Sequence, residues 1–496
     1  MDIGFPTIHG LYTVLRLCVA SKLTHVIRGL PPSITQPIVK ELDDSQLFGF
    51  LNLLGRPDLV ALAPDSWTSV GHLRALRRRI FLWLDSGGAG LTELSRMAPF
   101  AFLGSRMLIG HRLASTIELA SLSAAQAAVV TADLDDALSI TRAADLDPRT
   151  VAHLPSSGLD FLLTAPPNVP RYQQDLARAQ LDFLQAAILD DLPADSQARA
   201  IWLSASASEA GAGFNVLPLE KDISMDDATF RDDMCLRLGI APAWFASLPA
   251  SFPCPLCGDQ ITNEAFIHPL VCLRAGTGQR HSALVAALAD ELHSGLARHG
   301  IHVDRRQTGF LYHGMVPHQH LTLDQHRDIS QDAADIAITQ VGQRPVLIDP
   351  TIVTPSVTAS DKSAANPAKV GITGLQAEKR KVSELNKRFV VPDPAPIVFD
   401  PYAVEAFGRF APNATESTKR YARRGFPPRK TAEGKDWDVD GLLARYTGRL
   451  RARVQVGRAL GCQRQLAKFR QASANLATPF SIRLRLNVDI PGVFVV

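Results

Sequence analysis

The sequence predicts a multidomain chain with an all-α N-terminal half, a small cysteine-rich knot and then an α/β core built on a mixed sheet. Three observations carry that prediction. Apolar residues recur at three-and-four spacing from residue 8 to about 245. Three of the six cysteines crowd between residues 254 and 272. Beyond residue 283, β-rich runs alternate with helical stripes. At 496 residues the chain exceeds one compact core, and its 46% apolar and 20% charged composition is that of a globular protein. The expected division is a helical region at 1–245, the knot at 250–282, the α/β core at 283–410 and a basic helical region at 411–496.

In the helical region, Leu11 to Leu30 is apolar but carries Arg16, Lys22, His25 and Arg28. That excludes a bilayer span or a secretory leader and predicts an amphipathic helix. Breaks are expected at Pro31-Pro32, Gly87-Gly88, Pro166-Pro167 and Pro193. The glycine run Gly87 to Gly90 has no phosphate-loop spacing and predicts a turn.

In the knot, Cys254, Cys257, His268 and Cys272 give the spacing C-x2-C-x10-H-x3-C. Two thiolates three positions apart can grip one side of a tetrahedral Zn2+, and the His-Cys pair can close the other. Four protein ligands leave no open position, so the zinc is structural and contributes folding energy, not chemistry. Free thiols in this number predict a reducing intracellular setting, nuclear or cytoplasmic. Cys18, Cys235 and Cys462 are expected in the core.

The α/β core opens with a helix over Ala283 to His299, its stripe set by Leu284, Leu288, Leu292 and Leu296 and its end by Gly300. A short strand begins at Ile301. Residues 304–330 read as a loop insertion, and its His313, His318, His320 and His326 lack a regular ligand spacing. Asp335 to Thr339 and Val346 to Val353 read as an antiparallel hairpin. With its turn centred on Gly342, Asp335 and Asp349 fall opposite each other, about 5 Å apart. Two carboxylates so close repel unless a divalent cation such as Mg2+ or Mn2+ lies between them. A metal with a neighbouring lysine is what phosphodiester hydrolysis needs. Lys379 and Lys381 on the following helix, Leu375 to Phe389, are candidates for that cation, and Glu291 for a further metal ligand. Two aspartates near strands also arise by chance, and the spacing alone leaves both readings open. Pro355 to Lys369 reads as a flexible loop, and Ile397 to Glu405 as another strand.

The net charge is only +3, so any nucleic-acid surface must be local. From Lys419 to Arg470 basic residues recur, among them Arg423, Arg424, Arg429, Lys430, Arg445, Arg449, Arg451, Arg453 and Arg458. They could follow a phosphate backbone or simply form a solvated face of the helix expected over Gly441 to Ala474. An apolar tail that alternates like a strand follows.

These residues resemble the region downstream of the polymerase palm in non-LTR (LINE-type) retrotransposons that carry a restriction-like endonuclease. The resemblance rests on the Cys254 to Cys272 quartet, Arg280-His281, Asp335 with Asp349, and Glu-Ala-Phe-Gly-Arg at Glu405 to Arg409. Leu15 to Thr35 is similar to that family's thumb, and Gly87 to Leu103 to the Gly-rich segment after it. The resemblance implies a restriction-endonuclease-like core that nicks target DNA with magnesium, so that the cut end primes reverse transcription. Its implied partners are target DNA and element RNA, with no membrane and no small-molecule substrate. Two departures stand out: Ala333-Ala334 replaces the family's Arg-Pro before the first acid, and Pro350 follows the second. Pro350 is expected to distort or end its strand. No aromatic-x-Asp-Asp hairpin is present, since Asp43-Asp44, Asp135-Asp136 and Asp190-Asp191 lie in helical or turn context, so no polymerase centre is expected. The alternatives are a catalytically inactive nucleic-acid-binding remnant and a helical protein whose zinc knuckle serves protein contacts only.

Overall fold

A computed structural model describes residues 7–62, 66–117, 123–143, 148–164, 172–193, 196–218, 220, 222–262, 265–275, 277–308, 316–317, 333–355, 372–390, 395, 397–425 and 439–474. These residues are mostly helical, with one mixed sheet of four strands. No described helix is long and apolar enough to cross a membrane.

The N-terminal half contains helices and turns alone among its described residues. The leading helix runs from Ile8 to Gly29 through a π-turn at Leu15–Val19. The wide turn leaves no side chain of that stretch buried, so Cys18 is exposed and not a core residue as expected. After it come α1 (Pro32–Leu53), α2 (Gly71–Ile80), α3 (Leu94–Ile117), α4 (Tyr172–Asp191) and α5 (Asp227–Leu238). Tyr12, Phe50, Trp67, Phe214 and Phe230 form their aromatic core. The glycine run is a turn: Gly87 and Gly90 have positive φ, and a Cβ on Gly88 would lie 2.1 Å from the Leu82 carbonyl. The Tyr12 hydroxyl donates to the Ala89 carbonyl at 2.6 Å and Arg237 to that of Gly88 at 3.0 Å. The paired aspartates are helical. Asp43 accepts from the backbone of Leu94 and Ser95 at the start of α3, and Asp135 from that of Gly158.

In the knot, β1 (Ser251–Pro253) pairs antiparallel with β2 (Gln260–Thr262). A helix expected from residue 283 in fact starts six residues earlier, as α6 (Thr277–Leu296), and Gly300 follows it in the left-handed region. The sheet order is β3 (His302–Thr308), β5 (Ala333–Thr339), β6 (Val346–Val353), β8 (Val398–Glu405). The first three are antiparallel and β6 runs parallel to β8. A minor pair joins β4 (Val316–Pro317) to β7 (Phe389–Val390). Residues 304–308, expected in a loop, belong to β3 because they complete the ladder with β5. His313, His318, His320 and His326 lie outside the described residues, as do 356–369 and the apolar tail.

Between β6 and β8 lies α7 (Ile372–Arg388), and after β8 come α8 (Pro412–Gly425) and α9 (Val439–Ser473). α9 is about 50 Å long at 1.5 Å per residue. It lies against α6 through Gly457 and Gly461: a Cβ there would come within 2.3 Å of Ala287 Cβ and 2.6 Å of the Arg280 carbonyl. Its apolar residues enter both main cores, Leu450, Val454, Cys462 and Leu466 with the sheet and Val456 and Ala459 with the N-terminal helices. The described part of the 411–496 segment, α8 and α9, therefore shares its packing with the rest of the described chain.

Candidate functional site

The four knot ligands come together. Their donor atoms all lie within 4.8 Å of one another, and Cys257 Sγ is 3.4 Å from His268 Nε2. Zinc–thiolate bonds of about 2.3 Å put tetrahedral sulfur atoms roughly 3.7 Å apart, so the donor set fits Zn2+ with modest tightening. Local backbone bonding builds the site. Gly258, at φ +87°, donates to the Cys254 carbonyl, and Cys254 donates to that of Asp259. The short helix His268–Val271 has Pro269 in its first turn and presents His268; Cys272 follows it. The knot is also docked. Phe469 of α9 joins Phe245, Phe252 and Ile261 in its small core, and Gln465 donates to the Pro269 carbonyl.

The second constellation is assembled from distant parts of the chain. Ile336 pairs with Ile348 and Ile338 with Val346, the register expected for a turn centred on Gly342. One step further, the Asp335 and Asp349 carboxyls interact directly. Lys381 of α7 bonds Asp349, and His281 Nε2, from the second turn of α6, lies 3.1 Å from Asp335 Oδ1. Burial pushes the Asp349 carboxyl up to about 6, against the pull of Lys381. Burial also raises Asp335, but bonds from His281 and Asp349 outweigh it and hold that carboxyl below its usual range. His281 is raised by its bond to Asp335 against the effect of burial. A cavity of about 350 Å³ opens here, lined by His281, Ser282, Val285, Ala286, Arg305 and Asp335.

Two expected members are elsewhere. Glu291 is buried and bound by Arg449 Nε at 3.0 Å, in a cluster with Glu220 and Asp222 that also meet Arg449. It lies ten residues after His281 on α6, nearly three turns along, and so serves as the anchor of α9 and not as a ligand beside the aspartates. Lys379 is exposed, two residues from Lys381 and hence on a different side of α7.

Sequence reasoning passed over His281 as a site residue and gave Arg280 no task. Arg280 continues the Leu284–Leu288–Leu292–Leu296 stripe one turn toward the N-terminus, which was the available signal. Its guanidinium donates to the carbonyls of Leu270 and Ile352 and to Thr354 Oγ1, tying the knot to the end of β6. That clamp presents His281 to Asp335. Pro350, expected to distort or end its strand, leaves β6 continuous to Val353. The ladder with β5 ends at Ile348, and on the other side Pro350 stays in register with Tyr402. Ala333 and Ala334 likewise pair with Thr308 and Gln307. Glu405 to Arg409 forms a tight turn after β8: Glu405 accepts from the Gly374 backbone near the start of α7, and Arg409 bonds the Leu203 carbonyl.

The basic helix is largely paired within the molecule. Arg458 is fully buried and bidentate on Asp233 at 2.7 Å, Arg449 meets three carboxylates, and Arg451 and Arg453 face Glu209 and Asp290. These four are therefore not a continuous phosphate-tracking face. Arg429 and Lys430 lie outside the described residues.

No protein-family model and no curated protein matches the chain.

Proposed function

We propose that this chain is a metal-dependent DNA endonuclease module of the retrotransposon kind, nicking target DNA so that the new end can prime reverse transcription. The observation that carries this reading is the contact between Asp335 and Asp349 on adjacent strands, Asp335 with His281 and Asp349 with Lys381, beside a cavity that Asp335 and His281 line. The four-stranded mixed sheet flanked by α6 and α7 supports a restriction-endonuclease-like arrangement, and the Cys3His site supports a structural zinc beside it.

The chemistry follows from the groups present. A divalent cation such as magnesium held between the carboxylates would activate water and neutralise charge developing on the phosphate. Asp335 and Asp349 would hold it, and their mutual repulsion would fall on binding. Lys381 sits where a fixed positive charge can steady the pentacovalent phosphate. His281 keeps Asp335 oriented and can pass a proton at Nε2.

Supercoiled plasmid incubated with the zinc-loaded chain and Mg2+ or Mn2+ tests the reading. Nicking that is lost in Asp349→Ala supports it. Salt-dependent DNA binding without nicking supports the inactive nucleic-acid-binding remnant in its place, and absence of both leaves a zinc-bearing protein of other purpose.

A further inference from the structure

The N-terminal half holds a cavity of about 640 Å³ along α2, bounded by the Arg56–Leu59 turn, the end of α4 and the segment 239–241. That volume suits a small organic ligand. Leu59, Leu73, Leu76, Ile188, Leu192 and Ile240 make its walls apolar. Arg79, 6% exposed, belongs to the lining, and its Nε is buried without a hydrogen-bond partner. One Arg79 Nη donates to the Arg237 carbonyl at 2.8 Å, and the guanidinium lies 5.1 Å over the Trp202 ring. Among the described residues no carboxylate pairs with it. Burial, and then the nearby Arg237, lowers its pKa to about 9. A guanidinium buried without a counter-ion is costly, and an anion entering the cavity would relieve that cost.

Gly71, His72 and Arg74 at the start of α2 also line the cavity, about 12 Å along the helix from Arg79 at 1.5 Å per residue. Arg56 also lines the cavity, already neutralised by Asp58. The one acid in the lining is Asp191, 3.8 Å from Arg78. With Arg56 and Asp191 both in ion pairs, the Arg79 guanidinium is a lining charge without a counter-ion, and it suits an anion.

We propose that this cavity binds an organic phosphate monoester, its phosphate against Arg79 and its organic part between the leucine and isoleucine walls. The site is separate from the carboxylate pair and does not depend on the nuclease reading. The same chemistry is found in a free nucleotide and at the 5′ end of a nucleic-acid strand.

The test uses the full zinc-loaded chain at constant ionic strength. AMP raises the melting temperature and binds in calorimetry, whereas adenosine does neither. Arg79→Gln weakens AMP binding by about tenfold, the loss of one charge-assisted bond. Because Arg79 also supports the fold, His72→Glu provides an independent arm. An acidic residue in the first turn favours the helix but repels phosphate across the cavity, so binding at low ionic strength falls by about twofold, with no loss of stability. Comparing AMP with a 5′-phosphorylated and a 5′-hydroxyl oligonucleotide assigns the source: tighter phosphate-dependent binding of the strand points to a chain end, and of AMP to a free nucleotide. Equal behaviour of AMP and adenosine, or AMP affinity unchanged in both variants, overturns the proposal.

Discussion

The knot and the carboxylate pair are both small polar constellations, yet they are built in opposite ways. The knot draws its four ligands from nineteen consecutive residues, and short turns around Gly258 and Pro269 bring them together. The pair needs two strands, α6 and α7, and its partners His281 and Lys381 are a hundred residues apart in sequence. A bound metal would complete the first site and stabilise the fold. The second holds two carboxylates at a cost that the surrounding core must offset, as functional sites often do. The difference makes the knot a folding element and the pair a place where stability is exchanged for chemistry.

The largest expected effect tests the knot. Stripping zinc, or replacing Cys257 with Ser, should loosen the cluster of Phe245, Phe252, Ile261 and Phe469 and lower the unfolding free energy by several kcal/mol, a fraction of the roughly 10 kcal/mol that structural zinc can supply. Melting with and without a chelator measures it, and an unchanged midpoint would remove the contrast. Next, Asp349→Asn should lower plasmid nicking by about a thousandfold, equivalent to several kcal/mol of lost metal assistance. The same variant should raise stability in chelator by about 1 kcal/mol, since it removes a buried carboxylate beside another. A variant that lost both activity and stability would make the pair structural, like the knot.

A third prediction sharpens the line between chemistry and support. Glu378 of α7 is buried and caps α8 by accepting from the Asn413 and Ala414 backbone. Burial pushes its pKa up to about 7, with Asp400 adding to the rise and those N–H bonds opposing it. Because the folded pKa lies above the ordinary carboxylate value, this contribution to stability is complete below about pH 4.5 and is lost as pH rises through 7. Glu378→Gln should remove that dependence and be more stable than the parent at pH 8 by about 1–3 kcal/mol, as denaturant titrations at pH 5 and 8 can show. The smallest effect belongs to Lys379→Ala. Its exposed position predicts nicking within a factor of about two of the parent, whereas Lys381→Ala should lose most of it.

What was legible in the sequence follows the same division. The knot could be read in full because its ligands are near neighbours in the chain. The hairpin register could be read because Gly342, at φ +75°, centres a turn between two apolar runs. Which lysine of α7 faces the pair could not be read, because Lys379 and Lys381 differ only by the helix's rotation relative to the sheet. Glu291 misled for a related reason: an acid on the correct helix proved to face α9, whose position is fixed by the glycines at 457 and 461. The arginines of α9 looked like a phosphate-binding run because Asp233, Glu209 and Asp222, their partners, lie more than two hundred residues upstream. Arg280 entered only through the resemblance, and its role was hidden in the same way: it is a buried clamp on a stripe otherwise made of leucine.

Cation uptake tests most directly whether the paired aspartates form a metal site. The zinc-loaded chain should bind one Mn2+ in electron paramagnetic resonance titrations, and Asp335→Asn and Asp349→Asn should each abolish that uptake while leaving the zinc content unchanged. Mn2+ binding that persists in both variants, or none in the parent, would contradict the account.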